Sequence, residues 1–276
     1  MSASVLACGR FQLDLSRPLI MGILNVTPDS FSDGGSYLDA SQALARAEQM
    51  IAQGADIIDI GGESTRPGAL EVSVQQELDR VMPVLEGVLA LQVPVSVDTR
   101  KSEVMRAVLA AGADMVNDVG ALEDEGALAV VAASSAAVCL MHKQGNPDAM
   151  QSAPKYVDVV AEVDDYLLER AMLAESAGIA RNRIMIDPGF GFGKTLEHNI
   201  QLLRKLADLA ERGLPVLVGL SRKSMLGAIT GNAVDSRQFE SVAAALLAIQ
   251  RGAVVVRVHD VKPTKDAIKI MEKIGL

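Results

Sequence analysis

The sequence predicts one α/β domain across residues 1–276, folded as a (β/α)8 TIM barrel with a short N-terminal hairpin. Three observations carry this. Eight short apolar runs alternate with longer amphipathic stretches. Most of the runs are apolar on both faces, as parallel strands covered by helices must be. No composition break divides the 276 residues, a length that suits a barrel of typically about 250.

The hairpin is read from Phe11-Gln12-Leu13-Asp14-Leu15, whose alternation suits a short strand plugging the barrel bottom. The eight strand runs are 19–24, 55–60, 93–97, 113–116, 136–141, 183–186, 215–220 and 253–258. Helices are expected over 39–53, 73–91, 101–111, 125–133, 157–177, 196–212, 236–251 and 263–274. Asp39 or Ser41 would start the first. Gly54, Gly112 and Gly252 each end a helix and precede an alanine that opens the next strand, which suits the left-handed cap. A doubly wound open sheet is the competing architecture. It would want a glycine-rich turn after its first strand, where the chain has Asn25-Val26-Thr27-Pro28 instead.

Composition narrows the function. Hydrophobic residues reach 49 %, but aromatics only 3 % and Trp is absent, so the core is aliphatic. A net charge of −9 without a basic stripe argues against nucleic acid. The two cysteines make no disulfide framework, and Cys139 lies in an apolar run as a small buried residue. No apolar run approaches the ~18 residues of a membrane span and no basic-then-apolar leader is evident, so the expected location is the cytoplasm.

In a TIM barrel the chemistry sits at the C-terminal ends of the strands. Here those ends lead to Asn25, Gly61 to Arg66, Asp98, Asn117 and Asp118, His142, Asp187, Ser221 to Lys223, and Arg257 with His259. Any single one could be a helix cap; polar groups on all eight strands converge on one rim. Alternate residues of an extended strand point the same way, so Ser221 should face with Lys223, and Arg257 with His259 if the chain stays extended past Val258. Asp98, Asn117, Asp187 and Lys223 form a set suited to a flat heterocycle with N–H edges, because carboxylates accept paired hydrogen bonds. Asn25, Arg66, Arg257 and His259 form a second set, suited to phosphate. The long Gly/Pro loops after the first two strands, 26–38 and 61–73, are expected to act as covers.

Other features point elsewhere. His198 reads as structural; His142 could support or touch the ligand. No His-X-His, His-Glu-X-X-His or Cys-X-X-Cys spacing indicates zinc. Gly189 to Lys194 imitates a phosphate loop but lacks its Lys-Ser/Thr spacing, so its glycines are expected to turn the backbone tightly beside a ligand.

The stretches 21–35 (MGILNVTPDSFSDGG) and 61–68 (GGESTRPG) are similar to the two signatures of the dihydropteroate synthase family. Ser96-Val97-Asp98-Thr99, Asn117-Asp118, Met141-His142, Asp187 through Lys194, Ser221-Arg222-Lys223-Ser224 and Arg257-Val258-His259-Asp260 extend the resemblance from about residue 5 to the C-terminus. It implies condensation of 6-hydroxymethyl-7,8-dihydropterin pyrophosphate with p-aminobenzoate, giving 7,8-dihydropteroate and pyrophosphate. It also implies inhibition by sulfonamides, which mimic the arylamine, and a homodimer built through helices remote from the mouth.

Carried onto this chain, the resemblance implies that Asp98, Asn117, Asp187 and Lys223 hold the pterin. Asn25, Arg66, Arg257 and His259 would bind pyrophosphate, with Mg2+ on Asn25. Thr65, Pro67, Phe192, Lys223 and Ser224, with Phe31 from the first loop, would shape the p-aminobenzoate site; Met141 and Gly219 complete the substrate-binding set, and Asp33 would join from the closed first loop. Lys223, Arg257, His259, Asp98 and Asp187 would be catalytic, in a dissociative reaction. Lys143 and 146–150 depart from the family pattern. A methyltetrahydrofolate-binding methyltransferase domain shares the pterin barrel but needs no pyrophosphate cluster. A paralogue that binds pterin without turnover should have lost loop or anion-site residues, which are intact here.

Overall fold

A computed structural model describes residues 5–27, 36–64, 71–145 and 154–275. Two strands, β1 (Val5–Cys8) and β2 (Phe11–Asp14), form the expected antiparallel hairpin. The barrel strands are β3 (Leu19–Asn25), β4 (Ile57–Gly61), β5 (Val95–Asp98), β6 (Met115–Asp118), β7 (Ala137–Met141), β8 (Ile184–Asp187), β9 (Leu217–Val218) and β10 (Val255–Val258). They pair in parallel in the order β8-β7-β6-β5-β4-β3-β10-β9. The ring closes at a single bridge, Ile186 to Val216, with the Ile186 N–H donating to Pro215 O at 2.9 Å.

The helices are α1 (Ser36–Gln53), α2 (Val74–Leu89), α3 (Ser102–Ala111), α4 (Ala127–Ala132), α5 (Val159–Ser176), α6 (Leu196–Arg204), α7 (Leu206–Ala210), α8 (Ser224–Thr230), α9 (Gln238–Ile249) and α10 (Val261–Ile274). Gly54, Gly112 and Gly252 all take positive φ, as their positions before the next strand require. Three expectations change. α1 starts at Ser36, ahead of Asp39 and Ser41. The stretch 196–212 is two helices, because Lys205 leaves helical geometry (φ −103, ψ 12). α8 was not foreseen, being short and contiguous with the polar segment after β9.

Period-two alternation sorts the core into an inside and an outside. Outward residues such as Ile58, Ile60, Val95, Val97, Val138, Leu140, Val256 and Val258 pack under the helices. Inward residues Leu19, Met21, Ile57, Met115, Ala137, Cys139, Met185, Leu217 and Val255 fill the barrel floor with Leu6, Cys8, Leu13 and Leu15 of the hairpin segment. Arg10 locks the hairpin in place through two bonds, 2.9 and 2.8 Å, to the buried Asp114 carboxylate. The floor is therefore sealed by apolar side chains. No helix among the described residues is long and apolar enough to cross a membrane.

Candidate active site

Above the apolar floor, the same alternation turns polar. The inward positions next to the mouth are Asn25, Gly61, Asp98, Asn117, Met141, Asp187, Gly219 and Arg257. Each stands two or four residues beyond a floor residue of its strand, except Asp98, which on β5 has the buried polar Ser96 below it. Strand register places Asn25 beside Gly61, Gly61 beside Asp98, and Asp98 beside Asn117. A side chain on Gly61 would meet Asn25 Oδ1 at 3.4 Å, so glycine there lets that oxygen stand at the rim.

Arg257 is the hub. Its Nε donates to Asp59 Oδ2 at 2.6 Å and its Nη2 to Asp98 Oδ2 at 2.8 Å. The guanidinium thus reaches from β10 across β3 to β4 and β5. Burial works against the charge, but Asp59 and Asp98 outweigh it and raise the Arg257 pKa. The same Asp59 oxygen accepts from Asn117 Nδ2 at 3.1 Å. Asp59 is 0 % exposed and its Oδ1 has no hydrogen-bond partner. Sequence reasoning missed it, since it sits inside an apolar strand run; its two-residue offset from Gly61 was the available signal.

Burial raises the pKa of Asp98, with Arg257 opposing and Asp59 adding to the shift. It raises that of Asp187 too, against the Gly189 N–H and the Lys223 charge. It lowers that of Lys223, against Asp187. The layer thus brings the carboxyl groups of Asp59, Asp98 and Asp187 together with the two cations Arg257 and Lys223. The Lys223 ammonium lies 4.0 Å from the centroid of the Phe192 ring, a cation–π contact. Phe192 packs with Val119 and Met141 into a small apolar wall.

The Phe192 segment is held by a second buried cation. Lys194 Nζ donates to Gly189 O (3.0 Å), Phe192 O (3.1 Å) and His142 O (3.3 Å), and lies 2.9 Å from His142 Nδ1. Lys194 is 2 % exposed, and among the described residues no ion pair to it forms. Burial lowers its pKa to about 7. Burial and then the Lys194 charge push His142 down to about 3, so the ring is neutral and serves as an acceptor. His142 is therefore engaged in support, stacked edge-on against Tyr166. Gly189 and Gly193 turn with φ of 66 and 62, and a side chain on either would strike a backbone oxygen, His142 O at 1.9 Å or Gln144 O at 2.2 Å. These glycines fit the loop against its neighbour's backbone. His198 is structural, its Nδ1 accepting the Thr195 N–H in a capping box.

The expected pairing of Ser221 with Lys223 fails. The strand ends at Val218, and Arg222 takes a left-handed conformation (φ 60), which breaks the alternation. Arg222 is fixed there by Asp260 (2.9 and 3.2 Å) and by Ser241 Oγ, which accepts its N–H. Ser221 instead serves His259, with its Oγ 3.0 Å from Nδ1. β10 likewise ends at Val258, so His259 belongs to the loop rather than to the strand that aims Arg257. Ser224 is exposed at the start of α8. Phe31, Asp33, Thr65, Arg66 and Pro67 lie outside the described residues, as do 146–150 and the central parts, 28–35 and 65–70, of both proposed covers. A groove of about 670 Å3 opens at the opposite end between α3 and α4, and shares no residue with the rim.

Comparison with known proteins agrees with this geometry. Residues 21–259 match the family described as pterin binding enzyme. Dihydropteroate synthase of Neisseria meningitidis serogroup C is 55 % identical over 281 residues, covering 100 % of this chain and 99 % of that one. The Xanthomonas albilineans dihydropteroate synthase solved in complex with 7,8-dihydropteroate superposes with a TM-score of 0.89 at 50 % identity, covering 98 % of each chain. The Yersinia pestis dihydropteroate synthase solved as a sulfonamide drug complex gives 0.92 at 50 % identity, again covering 98 % of each. A polar rim of this composition on a sealed barrel, matched over its whole length at this identity, places the chain in the pterin-binding enzyme family, among the dihydropteroate synthases.

Proposed function

We propose that this chain condenses 6-hydroxymethyl-7,8-dihydropterin pyrophosphate with p-aminobenzoate, releasing 7,8-dihydropteroate and pyrophosphate, in the cytoplasm. The observation that carries this is the inward layer itself: Asp98, Asn117 and Asp187 beside Lys223, with Arg257 at its centre. Asp98, Asn117, Asp187 and Lys223 bind the pterin. Asn25, Arg66, Arg257 and His259 take the pyrophosphate. The apolar wall of Met141 and Phe192, with Thr65, Pro67, Gly219 and Ser224, receives the arylamine, and sulfonamides compete for that place.

The reaction is dissociative. The bond between the pterin methylene and the pyrophosphate oxygen breaks, and its electron pair leaves with pyrophosphate. The carboxylates of Asp98 and Asp187 favour the cation left on the pterin, being fixed where that charge develops. Arg257 and His259 neutralise the departing anion. The p-aminobenzoate nitrogen then attacks the methylene carbon and loses a proton. Closure of the two long loops limits capture of the cation by water.

Magnesium fits these residues as an ion shared with substrate. Asn25 offers one hard oxygen at the rim, and among the described residues no cluster of three carboxylate, His or Cys ligands exists. Such a site suits an ion that keeps waters and binds through few protein oxygens plus phosphate. When bound it would supply charge neutralisation on the leaving group.

The chain also forms a homodimer in this proposal, supported by apolar side chains standing in solvent on α8 and α9: Phe239 is 82 % exposed and Ile229 59 %. Sedimentation equilibrium returning the mass of one chain would overturn that part.

The test of the activity is direct. The purified protein is incubated with the pterin pyrophosphate, Mg2+ and p-aminobenzoate, following dihydropteroate and pyrophosphate, with Lys223→Ala and Arg257→Ala alongside. Turnover in the parent and severe loss in both variants is expected. A folded parent that binds the pterin and forms no product would indicate a non-catalytic relative instead.

A further inference from the structure

Ile57, the inward residue below Asp59 on β4, and Ile23, its register partner on β3, are apolar and buried, and this carboxylate interrupts their packing. A buried charge is expensive to desolvate, and an apolar residue of similar volume is often as stable or more so. Asp59 therefore needs a reason other than stability. Among the described residues its side-chain hydrogen bonds go to two rim residues, and both use one oxygen: Oδ2 accepts from Arg257 Nε and from Asn117 Nδ2. Ser96, its direct partner on β5, is equally buried and its Oγ has no partner, so nothing on that side competes for Asp59.

An ionised carboxylate only accepts hydrogen bonds, whereas a side-chain amide has one donating and one accepting end. If the Asn117 amide turned over, its oxygen would face the Asp59 oxygen at hydrogen-bond distance. The donor end of Asn117 is therefore committed to Asp59, and the acceptor end is what Asn117 offers a ligand. We infer that Asp59 is a positioning residue that sets pterin specificity, by locking the Asn117 amide so that it accepts from a ligand N–H and by tying that amide to Arg257. This rests on the reading that Asn117 holds the pterin. The selected ligand feature is an amino group on the pyrimidine ring, as against an oxo group at the same place.

Replacing Asp59 by Asn keeps the shape and removes the lock, because an amide at 59 can either donate or accept. Arg257 retains its bond to Asp98. The test measures, by titration calorimetry, the affinities of 6-hydroxymethylpterin and its 2-oxo counterpart for the parent, Asp59→Asn, Asn117→Ala and the double variant. The parent should prefer the amino ligand. In Asp59→Asn that preference should fall on the order of tenfold, the scale of one hydrogen bond to a charged or fixed partner. Asp59→Asn should add nothing further once Asn117 is Ala. A purely structural role would weaken both ligands alike, and an unchanged preference ratio overturns the proposal.

A second measurement needs no change at Asp59. With 15N-labelled asparagine, the Asn117 side-chain amide, assigned by its loss in Asn117→Ala, should show one slowly exchanging proton with or without pterin. Two rapidly exchanging protons would overturn the lock. A parent that binds neither ligand defeats the proposed function and this inference together; a parent that binds pterin while Asp59→Asn keeps its preference defeats only the inference.

Discussion

Replacing Lys194 by Met tests whether a buried ammonium, and not the glycines alone, shapes the segment between β8 and α6. Methionine nearly fills the lysine volume but donates nothing. Gly189 O would keep the Phe192 N–H as a donor at 3.1 Å, while His142 O and Phe192 O lose the Lys194 ammonium. Two buried carbonyls at roughly 1–3 kcal/mol each give about 2–6 kcal/mol. Relief from burying an ammonium offsets part of this, so the expected destabilisation is about 2–4 kcal/mol. Urea unfolding reads it as a lower midpoint at unchanged slope. The freed segment carries Phe192 away from Lys223 and Met141, so KM for p-aminobenzoate should rise on the order of tenfold while pterin affinity changes less. Lys194→Met with stability within about 0.5 kcal/mol of the parent and an unchanged KM would refute the reasoning.

Two further outcomes follow from the rim and the surface. Asp98 and Asp187 have folded pKa values raised from 3.8 to about 7 and about 6, so between pH 4 and 7 the folded state holds more protons than the unfolded chain. Stability from these groups is therefore greatest below the unfolded value and is lost as pH rises through that window, while pterin affinity, which needs the carboxylates, grows. Thermal melts with and without pterin, compared with Asp187→Asn, should show a ligand-induced shift that increases with pH in the parent and a flatter dependence in the variant; equal dependence in both would contradict the assignment. Phe239→Glu should halve the sedimenting mass and leave turnover largely intact, because Phe239 stands on α9, outside the inward rim layer; a variant that stays dimeric would exclude that face.

Much of the fold was legible because a parallel barrel buries both faces of each strand, so runs such as 136–141 announce themselves without any partner. The rim was legible for a related reason: where a strand leaves the core its next inward residue can be polar, and Asp98, Asn117 and Asp187 fall there. The misses share a cause, which is that their partners are remote in sequence. Asp59 looks like a strand residue until Arg257, 198 positions away, is seen beside it. Lys194 looks like part of a phosphate loop until His142, 52 positions away, receives it. The Ser221–Lys223 expectation failed locally, because period two holds only while the backbone stays extended and Arg222 does not.

The single bridge that closes the barrel has a consequence for how the molecule opens. Adjacent strands elsewhere share two to five registered pairs, whereas among the described residues β8 joins the segment leading into β9 through one bridge, Ile186 to Val216. Just above that thin joint stand Asp187 at the end of β8 and Lys223 beyond β9, each feeling the other's charge. A ligand gripped by both would act as a clasp across the barrel's weakest wall. Occupancy and the integrity of the ring are then one equilibrium, and substrate concentration becomes a determinant of how long the protein survives heat or proteolysis.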